Sequence, residues 1–164
     1  MPRRPRPSGA TAAIRALEEA GVAFVLHPYD HDPRATSYGL EAAQVLGIDE
    51  SRVFKTLLAD ADGRLVVAVV PVSGMLDLKA LARALGARRA AMADPLAAER
   101  ATGYVVGGIS PLGQKRPHTT VLDISALAHE TVLVSAGRRG LDVELAPADL
   151  VTLTSAAVAA IGQD

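Results

Sequence analysis

The order of hydrophobic and polar residues predicts short strands and helices that follow one another along the chain. Two stretches rich in β-branched residues, Val53–Ala59 and Leu65–Val70, flank the turn signal Asp60-Ala61-Asp62-Gly63. This pattern predicts two strands joined as a hairpin. Because Leu65–Val70 is apolar without interruption, we expect the second strand to be buried on both faces at the centre of a sheet.

Capping residues, glycines and prolines mark the remaining elements. The predicted helices run from a cap at Ser8 or Thr11 to Ala20, from Tyr38 to Leu46 with a cap at Thr36 or Ser37, from a cap at Asp77 to Leu85, from Asp94-Pro95 to about Arg100, and onward from Pro147. Further strands are predicted at Val22–Leu26, Arg88–Met92, Thr119–Ile124, Thr131–Ser135 and Leu141–Leu145. We therefore expect a mixed α/β fold of α+β character, either a mixed sheet or a partly closed barrel, with helices packed around it.

Composition favours one domain with an aliphatic core. The chain has 164 residues, and we expect residues 10–164 to form this domain behind a disordered basic tail at residues 1–9. Hydrophobic residues make up 49% of the chain and aromatic residues only 3%. The absence of Cys excludes disulfides, a cysteine nucleophile and most structural zinc sites.

Net charge and hydropathy limit which classes of binding partner are expected. The formal net charge is -1, whereas a protein that coats nucleic acid is usually far more basic. Short Arg and Lys clusters, such as residues 115–116 and 138–139, still allow a local contact with a polyanion. No segment is long and apolar enough to span a bilayer, so we expect a cytoplasmic protein that does not bind membranes.

Lys55 lies in an otherwise apolar row of the first hairpin strand. Alternate residues of a strand share a face, and the row that contains Lys55 also holds Val53, Leu57 and Ala59. A lysine on such a wall either reaches water through its long stem or meets an anion in a pocket. The pattern leaves both readings open.

The loop His27–Pro33 carries two histidines and two aspartates and therefore raises the question of a metal site. His27 and His31 have the spacing of one helix face, but Pro28 and Pro33 oppose a helix there. With no scaffold for the ligands and no cysteine to help, we expect a polar loop and no metal.

The glycines of Gly108–Gly113 are spaced as in a phosphate-binding loop but do not complete one. Such a loop needs Lys and then Ser or Thr directly after its last glycine, whereas Gln114 intervenes here and Lys115 is followed by Arg116. This excludes nucleoside triphosphate hydrolysis of that type. The Gly107-Gly108 pair forms either a plain turn or a place where free backbone N–H groups reach a ligand oxygen.

The sequence does not indicate a Ser-His-Asp catalytic triad. Ser135 and Asp142 could meet if the turn between them folds back as a hairpin, but no histidine lies near them in sequence. Asp142 alternates with Glu144 along a predicted strand, so we expect both carboxylates on a solvated face.

Four stretches carry a resemblance to a known family. They are Val53-Phe54-Lys55-Thr56-Leu57, Met92-Ala93-Asp94-Pro95, Thr102-Gly103-Tyr104 with Gly107-Gly108-Ile109-Ser110-Pro111-Leu112-Gly113-Gln114-Lys115, and Val134-Ser135 with Arg139-Gly140-Leu141-Asp142. From about Ala10 to its C-terminus the chain resembles the YbaK/EbsC family, the bacterial Cys-tRNA(Pro) deacylases, which are related to the editing domain of prolyl-tRNA synthetase. The glycine-rich run together with the Lys-Thr pair makes the resemblance specific.

The resemblance implies a free-standing editing enzyme that hydrolyses the ester between a wrongly attached cysteine and the 3′ end of tRNA(Pro). Lys55 matches the essential lysine of the family. Pocket-lining positions of the family fall on Tyr29, Thr56, Gly107, Ile109, Ser135 and Asp142. The implied mechanism is substrate-assisted: the cysteinyl thiol attacks its own carbonyl, and the protein supplies orientation. No cofactor is implied, and prolyl-tRNA synthetase is an expected partner in a ternary complex.

Physical chemistry is compatible with these expectations. An ammonium in a pocket of low dielectric can hold a phosphate or polarise an oxygen, and the amides of Gly107 and Gly108 could bind a developing oxyanion. The alternatives are a deacylase of another small amino acid, a non-catalytic module that binds tRNA or a synthetase, and a hydrolase of small-molecule esters.

Overall fold

A computed structural model describes residues 10–164, which fold into ten strands and five α-helices. The strands are β1 (Phe24–Pro28), β2 (Phe54–Ala61), β3 (Arg64–Pro71), β4 (Met75–Leu76), β5 (Ala90–Met92), β6 (Thr120–Asp123), β7 (Val132–Arg138), β8 (Leu141–Leu145), β9 (Ala157–Ala159) and β10 (Gly162–Gln163). The helices are α1 (Ala12–Ala20), α2 (Tyr38–Leu46), α3 (Leu78–Leu85), α4 (Pro95–Thr102) and α5 (Pro147–Thr154). The predicted basic tail, and Ser8 as a cap, lie outside the described residues.

Three sheets organise the domain. The largest has the strand order β5-β2-β3-β6-β9; its β5-β2-β3 part is antiparallel, and β3, β6 and β9 are parallel to one another. An antiparallel sheet, β1-β8-β7, and the pair β4-β10 complete the set. The mixed α/β class is confirmed. Of the two predicted arrangements, the open mixed sheet is the one observed, since the described strands do not close into a barrel.

The predicted hairpin is formed by β2 and β3. It turns at Asp62 and Gly63, whose φ angles of 50° and 88° fit a tight two-residue turn. On β3, Val67 and Val69 enter one hydrophobic cluster, whereas Val66 enters another. The prediction of a central strand buried on both faces is therefore confirmed, and this strand fixes the hairpin partner that carries Lys55.

The starts of α1, α3 and α4 follow the predicted capping residues, whereas Ser37 at the start of α2 makes no side-chain cap hydrogen bond. The side chains of Thr11, Asp77 and Asp94 accept hydrogen bonds from the backbone at the starts of α1, α3 and α4. Gly47 takes a left-handed conformation at the end of α2, as glycine does at many helix ends. The short strands β4, β9 and β10 had no predicted counterpart. No helix within residues 10–164 has the length and apolar character needed to cross a membrane.

The core lies on both sides of the large sheet. One cluster fills the space between this sheet, the β1-β8-β7 sheet, α1 and α5. A second packs α3 against the opposite face. A third, smaller cluster joins α2 to Val53 and to Leu133 of β7, and it closes off one face of the β1-β8-β7 sheet. This third contact matters for the site, because Asp142 and Ser135 lie on the same face as Leu133.

Candidate active site

A cavity of about 320 Å³ opens where β2, the entry to α2, the start of α4 and the β1-β8-β7 sheet meet. It is lined by all the predicted site residues except Gly108, namely Tyr29, Lys55, Thr56, Gly107, Ile109, Ser135 and Asp142. The remaining wall is largely apolar, with Phe54, Leu58, Ala93 and Pro95 among its members. Such a mixture of an apolar wall and a few polar groups is typical of a small-molecule site.

Lys55 lies partly buried on the wall of this cavity, at the beginning of β2. Burial lowers the pKa of its ammonium below the ordinary value, because water is partly removed from the charge. Within residues 10–164 no carboxylate lies within ion-pair distance of Lys55. The cleft therefore contains a positive charge that an anionic or strongly polar ligand can approach.

The next residue, Thr56, contributes a hydroxyl without a hydrogen-bond partner. Its Oγ1 is the single buried side-chain nitrogen or oxygen atom of the described chain that lacks one. Burying a hydroxyl unpaired costs about 1–3 kcal/mol, so natural proteins rarely leave one in that state. Because Thr56 lines the cavity, a polar atom of a ligand can satisfy it.

Asp142 corrects one expectation from the sequence. We expected it on a solvated face, but its residue is only 6% exposed. The face on which it lies is covered by α2 and the start of β2, through the cluster that contains Leu133. Burial raises the pKa of Asp142 to about 6, and the nearby His27 opposes part of that rise.

The predicted hairpin does bring Ser135 and Asp142 together. The two residues are direct cross-strand partners on β7 and β8, and His27 on β1 is the partner of Asp142 on its other side. A histidine therefore does lie near this pair, although sequence distance hid it. The side chain of His27 is turned to Glu144, with 2.7 Å between Nε2 and Oε1, so these residues do not form a Ser-His-Asp relay. Ser135 Oγ accepts a hydrogen bond of 3.2 Å from the Gly137 amide.

Tyr29 connects the cleft to the outer surface. It follows directly after β1, and its amide donates a 2.9 Å hydrogen bond to the carbonyl of Gly140. Burial and, next, the Asp142 carboxylate raise the pKa of Tyr29 to about 12. The phenol is therefore neutral at physiological pH and can donate a hydrogen bond to a ligand.

The glycine-rich loop is held by side-chain hydrogen bonds rather than by regular secondary structure. The Tyr104 hydroxyl donates a 2.6 Å bond to the Leu112 carbonyl, and the Val106 amide donates a 2.7 Å bond to Glu99 on α4. Ser110 and Leu112 are buried in the same loop. These bonds present Gly107 and Ile109 to the cavity in a fixed conformation. Glu99 was missed in the sequence because nothing distinguishes it from other helical glutamates.

The two glycines of this loop have different roles, and the expectation for Gly108 was wrong. Its amide already donates a 2.8 Å hydrogen bond to the Val105 carbonyl, so it is not free to bind an oxyanion. A side chain at Gly108 would meet the backbone of Arg138 at 2.8 Å, which explains why glycine is needed there. For the Gly107 amide, no acceptor is found among residues 10–164. Gly107 also has a φ of 88°, which glycine adopts readily.

Tyr38 and Arg139 close over Gly107 from outside. The Arg139 guanidinium lies 4.9 Å from the centre of the Tyr38 ring, and its Nε donates a 2.9 Å hydrogen bond to the Val106 carbonyl. Sequence reasoning assigned no role to either residue. The signal available was the basic pair Arg138-Arg139 in a tight turn, which composition alone could not connect with the cleft.

The histidines of the 27–33 segment are paired with carboxylates instead of forming a cluster. His31 Nδ1 lies 2.7 Å from Glu41 on α2, and Glu41 also accepts a 2.7 Å hydrogen bond from the Asp32 amide. Among residues 10–164 there is no group of three or more His, Cys, Asp or Glu side chains placed to hold a metal ion. The His31–Glu41 pair instead anchors the loop that leads into α2.

Comparison with known proteins connects this geometry to a family. A sequence model described as the aminoacyl-tRNA editing domain matches residues 31–153. A protein of Enterococcus faecalis, named "Putative Cys-tRNA(Pro)/Cys-tRNA(Cys) deacylase EbsC", is 42% identical over 152 residues, which cover 92% of this chain and 92% of that protein. A proline–tRNA ligase of Moorella thermoacetica is 37% identical over 73 residues, 44% of this chain and 13% of the ligase.

A solved structure gives the same result for the fold. It is titled "Crystal structure of a putative trans-editing enzyme for prolyl tRNA synthetase" and matches with a TM-score of 0.81 and 26% identity, over 96% of this chain and 100% of that one. The chain therefore belongs to the aminoacyl-tRNA editing domain family. The resemblance identified in the sequence is confirmed.

Proposed function

We propose that this protein is a free-standing aminoacyl-tRNA deacylase that removes cysteine from mischarged tRNA(Pro). The observation that carries the proposal is a partly buried Lys55 without an anionic partner among residues 10–164, on the wall of a cavity shared with Gly107. The names of the E. faecalis relative and of the solved trans-editing structure support the same activity. A cavity of about 320 Å³ suits a small amino acid and the ribose that carries it.

Each polar group of the cavity has a proposed role toward the ester. Lys55 polarises an ester oxygen, and the Gly107 amide binds the oxyanion that develops on the carbonyl. The Asp142 carboxylate pairs with the α-ammonium of the amino acid, which supplies the charge that its burial leaves uncompensated. Thr56 donates its hydroxyl to a polar atom of the bound ester, and Tyr29, Ile109 and Ser135 shape the walls.

The proposed chemistry uses the substrate's own nucleophile. The cysteinyl sulfur attacks the ester carbonyl and forms a C–S bond; the bond between the carbonyl carbon and the ribose oxygen then breaks, and that oxygen takes up the thiol proton. The amino acid leaves as a cyclic thioester, which water hydrolyses to cysteine. The cavity contributes orientation and charge stabilisation, so no protein nucleophile is needed.

A panel of mischarged tRNA(Pro) species tests the activity directly. Cys-tRNA(Pro) should be deacylated, and Ser-tRNA(Pro) should be nearly inert, because a hydroxyl is a much weaker nucleophile than a thiol at neutral pH. Trapping the released product should reveal the cyclic thioester. Equal release of serine and cysteine would refute the substrate-assisted mechanism, and binding of tRNA without release of any amino acid would favour a non-catalytic module.

We further propose that the protein acts in the cytoplasm together with prolyl-tRNA synthetase. A net charge of -1 gives weak electrostatic attraction to tRNA, so a synthetase that delivers the tRNA would increase the local concentration of the ester. Addition of catalytically inactive synthetase should lower the KM for Cys-tRNA(Pro) without changing kcat. An unchanged KM would refute the ternary complex.

A further inference from the structure

A second, open cavity adjoins the proposed active site, and nothing above assigns it a ligand. Its volume is about 580 Å³, and Tyr29 lines both cavities. The other lining residues are Pro28, Asp30, Arg138, Arg139 and Gly140. Two arginines and one carboxylate thus surround a concave surface that is continuous with the cleft.

Arg139 is oriented in this position by two contacts. Its Nε donates a hydrogen bond to the Val106 carbonyl, and the central carbon of its guanidinium lies 4.9 Å from the centre of the Tyr38 ring. Neither of its two terminal nitrogens has a hydrogen-bond acceptor among residues 10–164. A guanidinium held in this way presents a preorganised fork of N–H groups, which matches the oxygens of a phosphate.

The close approach of these residues gives Gly107 a second reason to be glycine. A Cβ atom there would lie 2.9 Å from Arg139 Nε and 2.9 Å from the Tyr38 ring. The loop that borders the proposed ester site and the arginine of the outer cavity are therefore in direct contact. A substrate that spans both cavities would touch one continuous surface.

We infer that Arg139 binds the phosphodiester that joins the last two nucleotides of the single-stranded tRNA 3′ end, while the terminal aminoacyl nucleoside occupies the active-site cleft. The inference rests on the proposed function and adds a phosphate subsite to it. The cleft holds one small ester, so the next chemical group along the RNA is a phosphate that must leave past Tyr29. The Asp30 carboxylate on the same surface disfavours a second phosphate there and thereby helps to set the register.

Two small substrates that differ by one phosphodiester test this subsite. One is 3′-O-cysteinyl adenosine, and the other is the cysteinyl ester of the dinucleotide CpA. For the native protein, kcat/KM should be higher for the dinucleotide. Arg139→Gln should lower kcat/KM for the dinucleotide by roughly ten- to a hundredfold, the range of a charge-assisted hydrogen bond. The adenosine ester should lose less, so that the advantage of the dinucleotide over the adenosine ester falls in this variant, and Arg139→Lys should restore part of that advantage.

The control is Arg83→Gln, which removes the same charge from an exposed position on α3, away from both cavities. It should behave like the native protein with both substrates. An equal loss on both substrates in Arg139→Gln would mean that Arg139 only supports the Gly107 loop, and no loss on either would remove it from the site; both results overturn the inference.

Binding of unesterified CpA and adenosine, measured by calorimetry at several salt concentrations, separates this inference from the proposed function. CpA should bind more tightly than adenosine, with an advantage that falls as salt increases and disappears in Arg139→Gln. If the native protein hydrolyses neither ester and leaves Cys-tRNA(Pro) intact as well, the proposed function fails, and the CpA advantage still decides the phosphate subsite. Equal affinity for CpA and adenosine would overturn the subsite even in an active enzyme.

Discussion

Asp142 and Glu144 lie two residues apart on the same face of β8, yet their surroundings are opposite. Glu144 is close to His27 and accepts hydrogen bonds from Thr131 and Arg52, and these partners, Thr131 first, hold its pKa below the ordinary value. Asp142 is more deeply buried, and burial raises its pKa to about 6. One carboxylate is part of a satisfied structural network, and the other is held with its charge largely uncompensated.

The contrast between these two carboxylates indicates where the functional groups of this fold lie. Polar groups that already have partners stabilise the joints between β1, β8 and the segment before β7. Lys55, Thr56 and Asp142 line the cavity instead, and none of them has a hydrogen bond or an ion pair through its side chain with a residue in the range 10–164. A protein tolerates such groups where a ligand supplies the missing partner, at the expense of some stability. The following substitutions test whether each group stabilises the fold or serves the ligand.

Lys55→Ala should have the largest effect, on activity. We expect kcat/KM for Cys-tRNA(Pro) to fall at least about a hundredfold, since a charge in a cavity of low dielectric contributes about 3 kcal/mol or more to transition-state binding. The melting temperature should be nearly unchanged, because no ion pair with a described residue is lost. Lys79→Ala, on the exposed side of α3, is the control. Unchanged deacylation in Lys55→Ala would exclude Lys55 from the mechanism.

Asp142→Asn should stabilise the protein at neutral pH while impairing catalysis. A rise in pKa from 3.8 to about 6 means that ionising Asp142 in the fold costs about 3 kcal/mol. Ionisation of Asp142 therefore removes stability from the native protein as pH rises from below 4 through 6, and the Asn variant lacks this contribution. Urea denaturation at pH 3.5, 6 and 8 should show a gap between the variants that opens with increasing pH. A constant gap would contradict a raised pKa.

Glu144→Gln should have the opposite effect on stability, and the change in the free energy of unfolding should be smaller. Loss of the negative charge weakens the contacts to Arg52 and His27, and we expect about 2 kcal/mol of destabilisation at pH 7. Because the pKa of Glu144 is lowered, its contribution is present above the unfolded pKa and is lost as pH falls through the folded pKa. Deacylation per folded molecule should not change. Glu130→Gln, at an exposed position, is the control for charge.

Thr56→Val should have the smallest effect. Removal of a buried hydroxyl that lacks a partner should raise the free energy of unfolding by about 1 kcal/mol, because the valine buries no polar atom. The same change should reduce kcat/KM by less than about tenfold, and Thr56→Ser should retain activity. Destabilisation by Thr56→Val would indicate that the hydroxyl has a partner in the free protein. Thr56 would then have a structural role, as Glu144 does.

Many of the strands and helices could be predicted, because the sequence patterns that indicate them are local and agree with the final fold. The β2–β3 hairpin, the buried run on β3 and the caps of α1, α3 and α4 depend on neighbouring residues, and they were found. The cavity residues were predicted from the motifs that resemble the family. The short strands β9 and β10 were missed, since they are two or three residues long and form only through partners distant in sequence.

The errors at the site have one physical origin. Alternation along β8 correctly placed Asp142 and Glu144 on one face, but it could not reveal that α2 covers part of that face. Similarly, the glycine pair indicated flexibility of the backbone and not which amide was already bonded, as the Gly108 contact to Val105 shows. The positions of Tyr38 and Arg139 depend on three segments that meet only in the folded protein.

The parallel pairing of β9 with β6 has a consequence for synthesis of the chain. Until residues 157–162 have left the ribosome, β6 remains an open edge with four buried side chains, and the Asp123 carboxylate lacks the Ile161 and Gly162 amides that bind it at 2.9 and 2.8 Å. An unpaired strand edge invites association with other nascent strands. Residues 157–162 therefore cover this edge of the sheet, and we expect a chain truncated before residue 157 to aggregate more readily than the full chain.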